Sequence, residues 1–178
     1  MVYLTYFVHG TTTDNEKDLA TGWLPGELSK LGRKQSVEIG KITTQKFDAV
    51  YSSDLARAVE SADLAFGGKY KIIQDKRLRE ANYGDWNGGP HSFKENMDKY
   101  IHIPFPNGES YYEVGVRMRD FCDYLKKQYD GMQVAILAHQ APQLALDVIL
   151  KDKTWKQAIA EDWRKTKAFK PGWDYIIP

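Results

Sequence analysis

The sequence predicts an α/β fold: a three-layer sandwich with a mostly parallel central sheet and helices on both faces. Three observations carry this. Short apolar, β-branched runs alternate with helical patterns over most of the chain, as parallel sheets require. The strongest runs, at 2–8 and 133–138, are continuous in the way of strands covered on both sides. Both of those runs stop at a histidine, His9 and His139.

The elements follow in order. Residues 2–8 form a buried strand closed by the turn His9-Gly10. Residues 11–27, rich in Thr, Asp, Asn, Gly and Pro, read as loop. Ser29 caps a helix over 30–43. A short strand at 49–52 leads to Ser53-Asp54, which caps a helix over 55–66 with Leu55, Val59, Ala62 and Phe66 on one stripe. A strand at 70–73 precedes an irregular stretch, 75–109, that holds a helix around 93–100. Ser110 and Glu113 form a capping box for a helix reaching 129, its stripe Val114, Met118, Phe121 and Leu125. After the strand at 133–138, Pro142 suits the first turn of the next helix. Trp155, Ile159 and Trp163 mark one more helix, and 174–177 an edge strand.

The bulk properties bound the function. A length of 178 residues suits a single domain with one core, and 42% hydrophobic with 13% aromatic residues is ample for it. Twenty-five basic and 24 acidic side chains leave a net charge of +1, which gives no general pull towards nucleic acid or a membrane. The single cysteine, Cys122, excludes an internal disulfide and reads as a core filler. No leader or membrane-length apolar run is apparent, so a soluble cytoplasmic protein is expected.

In doubly covered parallel sheets, ligands sit beyond the carboxyl ends of the strands. His9, the 52–57 segment and His139 all fall there. Phosphoryl transfer to a side chain needs a nucleophile, cationic donors and an acid for the leaving oxygen. A neutral imidazole at His9 can attack, and Gly10 allows close backbone turning. Thr12 and Asn15 can donate hydrogen bonds to phosphate oxygens. Arg57, in a first helical turn, combines a planar fork with the helix dipole. His139 adds a charge-assisted donor when protonated, and Glu80 is the candidate acid.

The stretch Val8-His9-Gly10-Thr11-Thr12-Thr13-Asp14-Asn15 resembles the R-H-G-x-T-x-x-N signature of the histidine phosphatase (phosphoglycerate-mutase-like) superfamily. Gly22-Trp23-Leu24, the run from Leu28 to Gln35, Ser52-Ser53-Asp54-Leu55-Ala56-Arg57-Ala58, the run from Leu78 to Gly88, Pro106-Asn107-Gly108-Glu109-Ser110 and Leu137-Ala138-His139 are similar to later landmarks of that family, in its order. The resemblance implies that His9 is phosphorylated and that Glu80 is the proton donor. It implies that Arg57 and His139 bind the phosphoryl group, with Gly10 and Asn15 in support. It also implies that neither metal nor organic cofactor is needed. The expected partner is a small phosphorylated substrate; oligomeric state stays open, a dimer included.

Val8 stands where the family has arginine. Losing one hydrogen bond to a charged group costs roughly 1.5–3 kcal/mol, about ten- to a hundredfold in rate. Either another cation such as Lys17 or Arg33 replaces it, or the pocket binds phosphate with little catalysis. The run Gln140-Ala141-Pro142 also departs from the family, so substrate preference does not carry over. A phosphatase is favoured over a mutase, which needs covering segments to exclude water, because the chain is short and its only sizeable insertion lies between Gly88 and Pro106. Within 83–100, Trp86, His91, Phe93 and Tyr100 either form a substrate-selecting lid or pack that loop onto the core. His91 and His102 are expected at the surface. A metal site on His9 and His139 is disfavoured because no close ligand spacing appears.

Overall fold

The computed structural model describes residues 1–166 and 172–178. Strand β1 (Val2–Val8) lies parallel to β4 (Gln133–Ala138) at the centre of a five-stranded sheet. Beyond β4 follow β2 (Ala49–Ser52) and β3 (Ile72–Gln74), both parallel. On the other side of β1, β5 (Trp173–Ile177) closes the edge antiparallel. The order is β3-β2-β4-β1-β5.

Strand alternation sends side chains to two cores. Val2, Leu4 and Tyr6 of β1, with Val134, Ile136 and Ala138 of β4, meet helices α4 (Tyr111–Gln128) and α5 (Gln140–Leu150) on one face. Phe7, Val50, Ala135 and Leu137 meet α2 (Lys30–Ile42) and α3 (Ala56–Ala62) on the other. This is the three-layer arrangement expected from the sequence. The α4 stripe of Val114, Met118, Phe121 and Leu125 is fully buried, each side chain contributing roughly 1.5–3 kcal/mol. The Ser110–Glu113 capping box opens that helix as expected. Cys122 lies in the same core.

Several elements differ from expectation for local reasons. The loop after Gly10 contains a short helix, α1 (Thr13–Glu16). The helix expected over 55–66 is α3 followed by a π turn, Asp63–Gly67, and it has no side-chain cap. Ser53 Oγ instead accepts from the Leu55 N–H at 3.1 Å, and Asp54 pairs with Arg79. Strand β3 starts two residues late because Tyr70 N–H is tied to Phe66 O in the preceding turn. The 94–100 helix is of the 3₁₀ type and breaks at Asn96. The helix expected through Trp163 ends early: α6 (Trp155–Ala160) is capped by Thr154, and a separate 3₁₀ turn spans Trp163–Thr166. Asp162 makes that break by accepting the Arg164 N–H at 3.1 Å. Among the described residues no helix is long and apolar enough to cross a membrane.

Candidate active site

His9 follows the last residue of β1, and its N–H continues the ladder to Ala138 O at 3.0 Å. Its Nδ1 lies 2.7 Å from Gly10 O, which accepts only from N–H. That contact puts the proton on Nδ1 and leaves the lone pair on Nε2. Burial, then the Arg57 charge, lowers the His9 pKa to about 3, so the ring is neutral at pH 7. Gly10 is glycine for a packing reason, since a Cβ there would meet Gly32 O of α2 at 2.2 Å. The Gly10 N–H is fixed by Ser61 Oγ at 3.1 Å.

Arg57 is buried at 2% exposure, and its Nε donates to His9 Nε2 at 3.2 Å. Nη1 donates to Leu24 O (2.8 Å) and Pro25 O (3.3 Å), and Nη2 to Gly22 O (2.8 Å). A guanidinium has five N–H donors, so one Nη2–H is left over. The fork expected to receive phosphate thus ties down the loop at 22–26, which turns through positive φ at Gly22 and Gly26. Burial lowers the Arg57 pKa, and the nearby Glu80 charge opposes this.

His139 is fully buried and its ring centroid is 5.0 Å from that of His9. The Tyr6 hydroxyl grips its backbone twice, donating to His139 O at 2.7 Å and accepting from His139 N at 2.9 Å. Ser53 Oγ lies 2.8 Å from His139 Nε2 and already accepts the Leu55 N–H. With the ring proton on Nδ1 the serine hydroxyl donates to Nε2; with it on Nε2, Ser53 Oγ accepts through its second lone pair. Nδ1 is buried with no hydrogen-bond partner. Burial, then the Arg57 charge, holds His139 well below its ordinary pKa.

Glu80 is 7% exposed and sits at the amino end of α5. Oε1 accepts from Ala81 N (2.9 Å) and Ala141 N (2.8 Å), and Oε2 from Gln140 N (3.1 Å). Because Gln140 follows His139, one helix start positions both side chains. Two long residues brace the loop from outside: Arg117 Nη2 and Trp23 Nε1 both donate to Glu80 O, at 2.9 and 2.7 Å.

The four central side chains are thus brought together. Thr12 and Asn15 cap α1 reciprocally, Thr12 Oγ1 accepting from Asn15 N and Asn15 Oδ1 from Thr12 N, each at 3.0 Å. Thr12 is fully buried in that role, while the Asn15 side-chain NH₂ keeps its donors. Of the cations expected to replace the missing arginine, Lys17 is exposed and Arg33 pairs with Glu60 at 2.6 Å. His102 is exposed, but His91 is not at the surface as expected. It packs 4.7 Å from Phe93, its Nε2 is buried, and burial lowers its pKa. Phe93 and Tyr100 are buried and Trp86 packs against them, so these aromatics join the core. No three His, Cys, Asp or Glu side chains cluster as metal ligands among the described residues. Sequence reading missed Tyr6, Arg117 and the serine–histidine pair. Only Ser53 had a visible signal, its place just after a strand.

A three-layer sandwich with two facing imidazoles at the carboxyl ends of its parallel strands defines the histidine phosphatase class of fold. The chain belongs to the histidine phosphatase superfamily (branch 1), whose family model matches residues 6–166. It is similar to the fructose-2,6-bisphosphatase TIGAR of Xenopus tropicalis, 36% identical over 134 residues, covering 68% of this chain and 49% of TIGAR. The chain thus spans about half the length of that relative. It is also similar to the 2,3-bisphosphoglycerate-dependent phosphoglycerate mutase of Rhizobium meliloti, 29% identical over 173 residues, covering 85% of this chain and 80% of the mutase. Among solved structures, Bacillus stearothermophilus YhfR superposes with a TM-score of 0.79 at 28% identity, over 89% of this chain and 84% of YhfR.

Proposed function

We propose that the protein is a cytoplasmic phosphomonoester hydrolase acting on a small phosphorylated substrate through a phosphohistidine on His9. The observation that carries this reading is the His9 ring itself: neutral, its Nδ1 proton held by Gly10 O, and its Nε2 lone pair beside Arg57 and His139. In the first half-reaction Nε2 bonds to phosphorus as the P–O bond to the alcohol breaks, and Glu80 gives its proton to the departing oxygen. In the second, water attacks phosphorus, Glu80 takes the water proton, the N–P bond breaks and phosphate leaves. His139 Nδ1–H, the remaining Arg57 Nη2–H and the Asn15 amide serve the phosphoryl oxygens, with Thr12 and Gly10 shaping the loop below them. The substrate named by a relative, a fructose bisphosphate for TIGAR, makes sugar phosphates the first class to test.

One test separates the readings. Wild-type protein is expected to hydrolyse p-nitrophenyl phosphate, and His9→Ala to be inactive. Quenching in alkali should trap a His9-containing phosphopeptide that acid destroys. Activity retained in His9→Ala sinks the proposal. Label passing from the protein to an added sugar phosphate instead of to water would favour a mutase, as the similarity to phosphoglycerate mutases suggests. A weakly catalytic phosphate-binding protein is the second reading, favoured by Val8 and by the Arg57 fork being spent on carbonyls. It predicts no turnover but thermal stabilisation by vanadate.

A further inference from the structure

Val8 leaves the pocket one cation short, and Arg57 has one free N–H. We infer that Arg164 supplies the missing phosphate-binding guanidinium, reaching the pocket from the 3₁₀ turn after α6 instead of from β1. This rests on the phosphoryl-transfer reading of the site.

The geometry runs outward from His139. Its neighbour Gln140 donates its backbone N–H to Glu80 Oε2 at 3.1 Å, and its side-chain Nε2 donates to Asp162 Oδ2. Asp162, 5% exposed, holds Arg164 through Oδ1: Nη1 at 2.6 Å and the backbone N at 3.1 Å. One carboxylate therefore links the amino end of α5, where Glu80 is bound, to this arginine. The side of the sheet agrees. Val8 and Tyr6 are two residues apart on β1 and face the α4–α5 core, to which Trp163 also packs. The Trp163 ring lies 5.9 Å from that of Trp173, which lies 6.4 Å from Tyr6, whose hydroxyl grips His139. Arg164 thus comes in on the face to which an arginine at position 8 would point.

Its donors are also disposed for a ligand. Nη1 is engaged by Asp162, but Nη2 is buried and has no hydrogen-bond partner among the described residues. The side chain's 25% exposure lies on its other atoms, so Nη2 faces inward, away from bulk solvent. After burial and the larger Arg57 charge, the Arg164 charge also acts in the direction that keeps His9 and His139 neutral. Lys17 is exposed, and Arg33 is paired with Glu60. The competing account is that Arg164 only neutralises buried Asp162. A lysine would do that nearly as well, but it lacks the planar fork that frees a second nitrogen for phosphate.

The test compares Arg164→Lys and Arg164→Gln with wild type, by kcat/KM on p-nitrophenyl phosphate and by the rise in Tm that vanadate produces. Arg164→Lys should keep the wild-type Tm without ligand, lose about ten- to a hundredfold in kcat/KM, and give a smaller vanadate shift. Adding Val8→Arg to Arg164→Gln should restore most of the activity. Wild-type kcat/KM and vanadate shift in Arg164→Lys overturn the assignment. So does a double variant with wild-type Tm and no recovery. The two proposals fail separately. An inactive wild-type protein whose vanadate shift depends on Arg164 defeats the hydrolase reading and leaves this one standing. An active wild type indifferent to position 164 does the reverse.

Discussion

At the carboxyl ends of the strands, polar side chains are held by backbone groups. Glu80 accepts three N–H bonds, Arg57 donates to three carbonyls, and His139 is gripped at both its N and O. Between Tyr83 and Phe105 order comes from rings. Tyr100 stacks on Phe105 at 4.1 Å, Tyr83 meets Phe93 at 4.6 Å, and Trp86 stacks on Phe93 at 5.6 Å. The first region spends its contacts on aiming a few atoms, the second on covering area. Losing a contact should therefore cost rate in the first and stability in the second.

Two substitutions test that division. Glu80→Gln keeps the size and one of the two acceptor oxygens, leaving the Gln140 N–H without its acceptor when Oε1 is kept, and it cannot shuttle a proton. Its kcat should fall by about 10²–10⁴, most for substrates with poor leaving groups, while vanadate still stabilises it. An equal loss for good and poor leaving groups would remove Glu80 from proton transfer. Phe93→Ala empties the middle of the aromatic cluster and should cost about 3–5 kcal/mol in denaturant unfolding. The kcat of the folded fraction should change little. If Phe93→Ala instead alters kcat/KM between substrates at unchanged stability, the cluster is a substrate lid after all.

What the sequence disclosed follows the same division. Residues fixed by neighbours within a few positions were legible: the Val2–Val8 run stopped by His9, the Ser110–Glu113 box, and the α4 stripe. The sheet and its helical layers follow from such runs, since alternation leaves few arrangements. Contacts across the chain left no trace. Tyr6 and His139 are 133 residues apart, and nothing in a buried tyrosine shows which backbone it will hold. Ser53 looked like a helix cap because serine after a strand usually is one, yet its hydroxyl also bonds the His139 ring at Nε2. Arg57 was found, but not that its fork closes the 22–26 loop. Arg164 lies beyond every motif, and Asp162 breaking the last helix is what places it.

Tyr6→Phe asks how far the histidine end depends on one hydroxyl. It removes a donor and an acceptor from two buried backbone groups, which should cost about 1–3 kcal/mol of stability. If the grip also aims the imidazole, kcat should fall several-fold with KM nearly unchanged, and Tyr175→Phe, which breaks buried bonds to Asp147 and Gln143 without touching the hydrogen bonds between Tyr6 and His139, should not reproduce that split. Equal effects from both variants would make Tyr6 purely structural.

The smallest effect concerns protons. His9 and His139 both titrate lower in the folded protein than in the unfolded chain, His9 at about 3 against an ordinary 6.5. Between those values the unfolded chain binds more protons, so stability must fall as pH falls. For His9 the loss from pH 7 to 6 is about 0.7 kcal/mol, rising towards about 1.4 kcal/mol per unit further down, and His139 acts in the same direction. Urea unfolding at pH 7, 6 and 5 should show this slope, and His9→Asn should flatten part of it. Vanadate should weaken it too, because a bound anion favours protonated His139 and returns the proton uptake to the folded state. A slope unchanged in His9→Asn would mean that the ring is not buried as a neutral base, and its role as nucleophile would lose its physical footing.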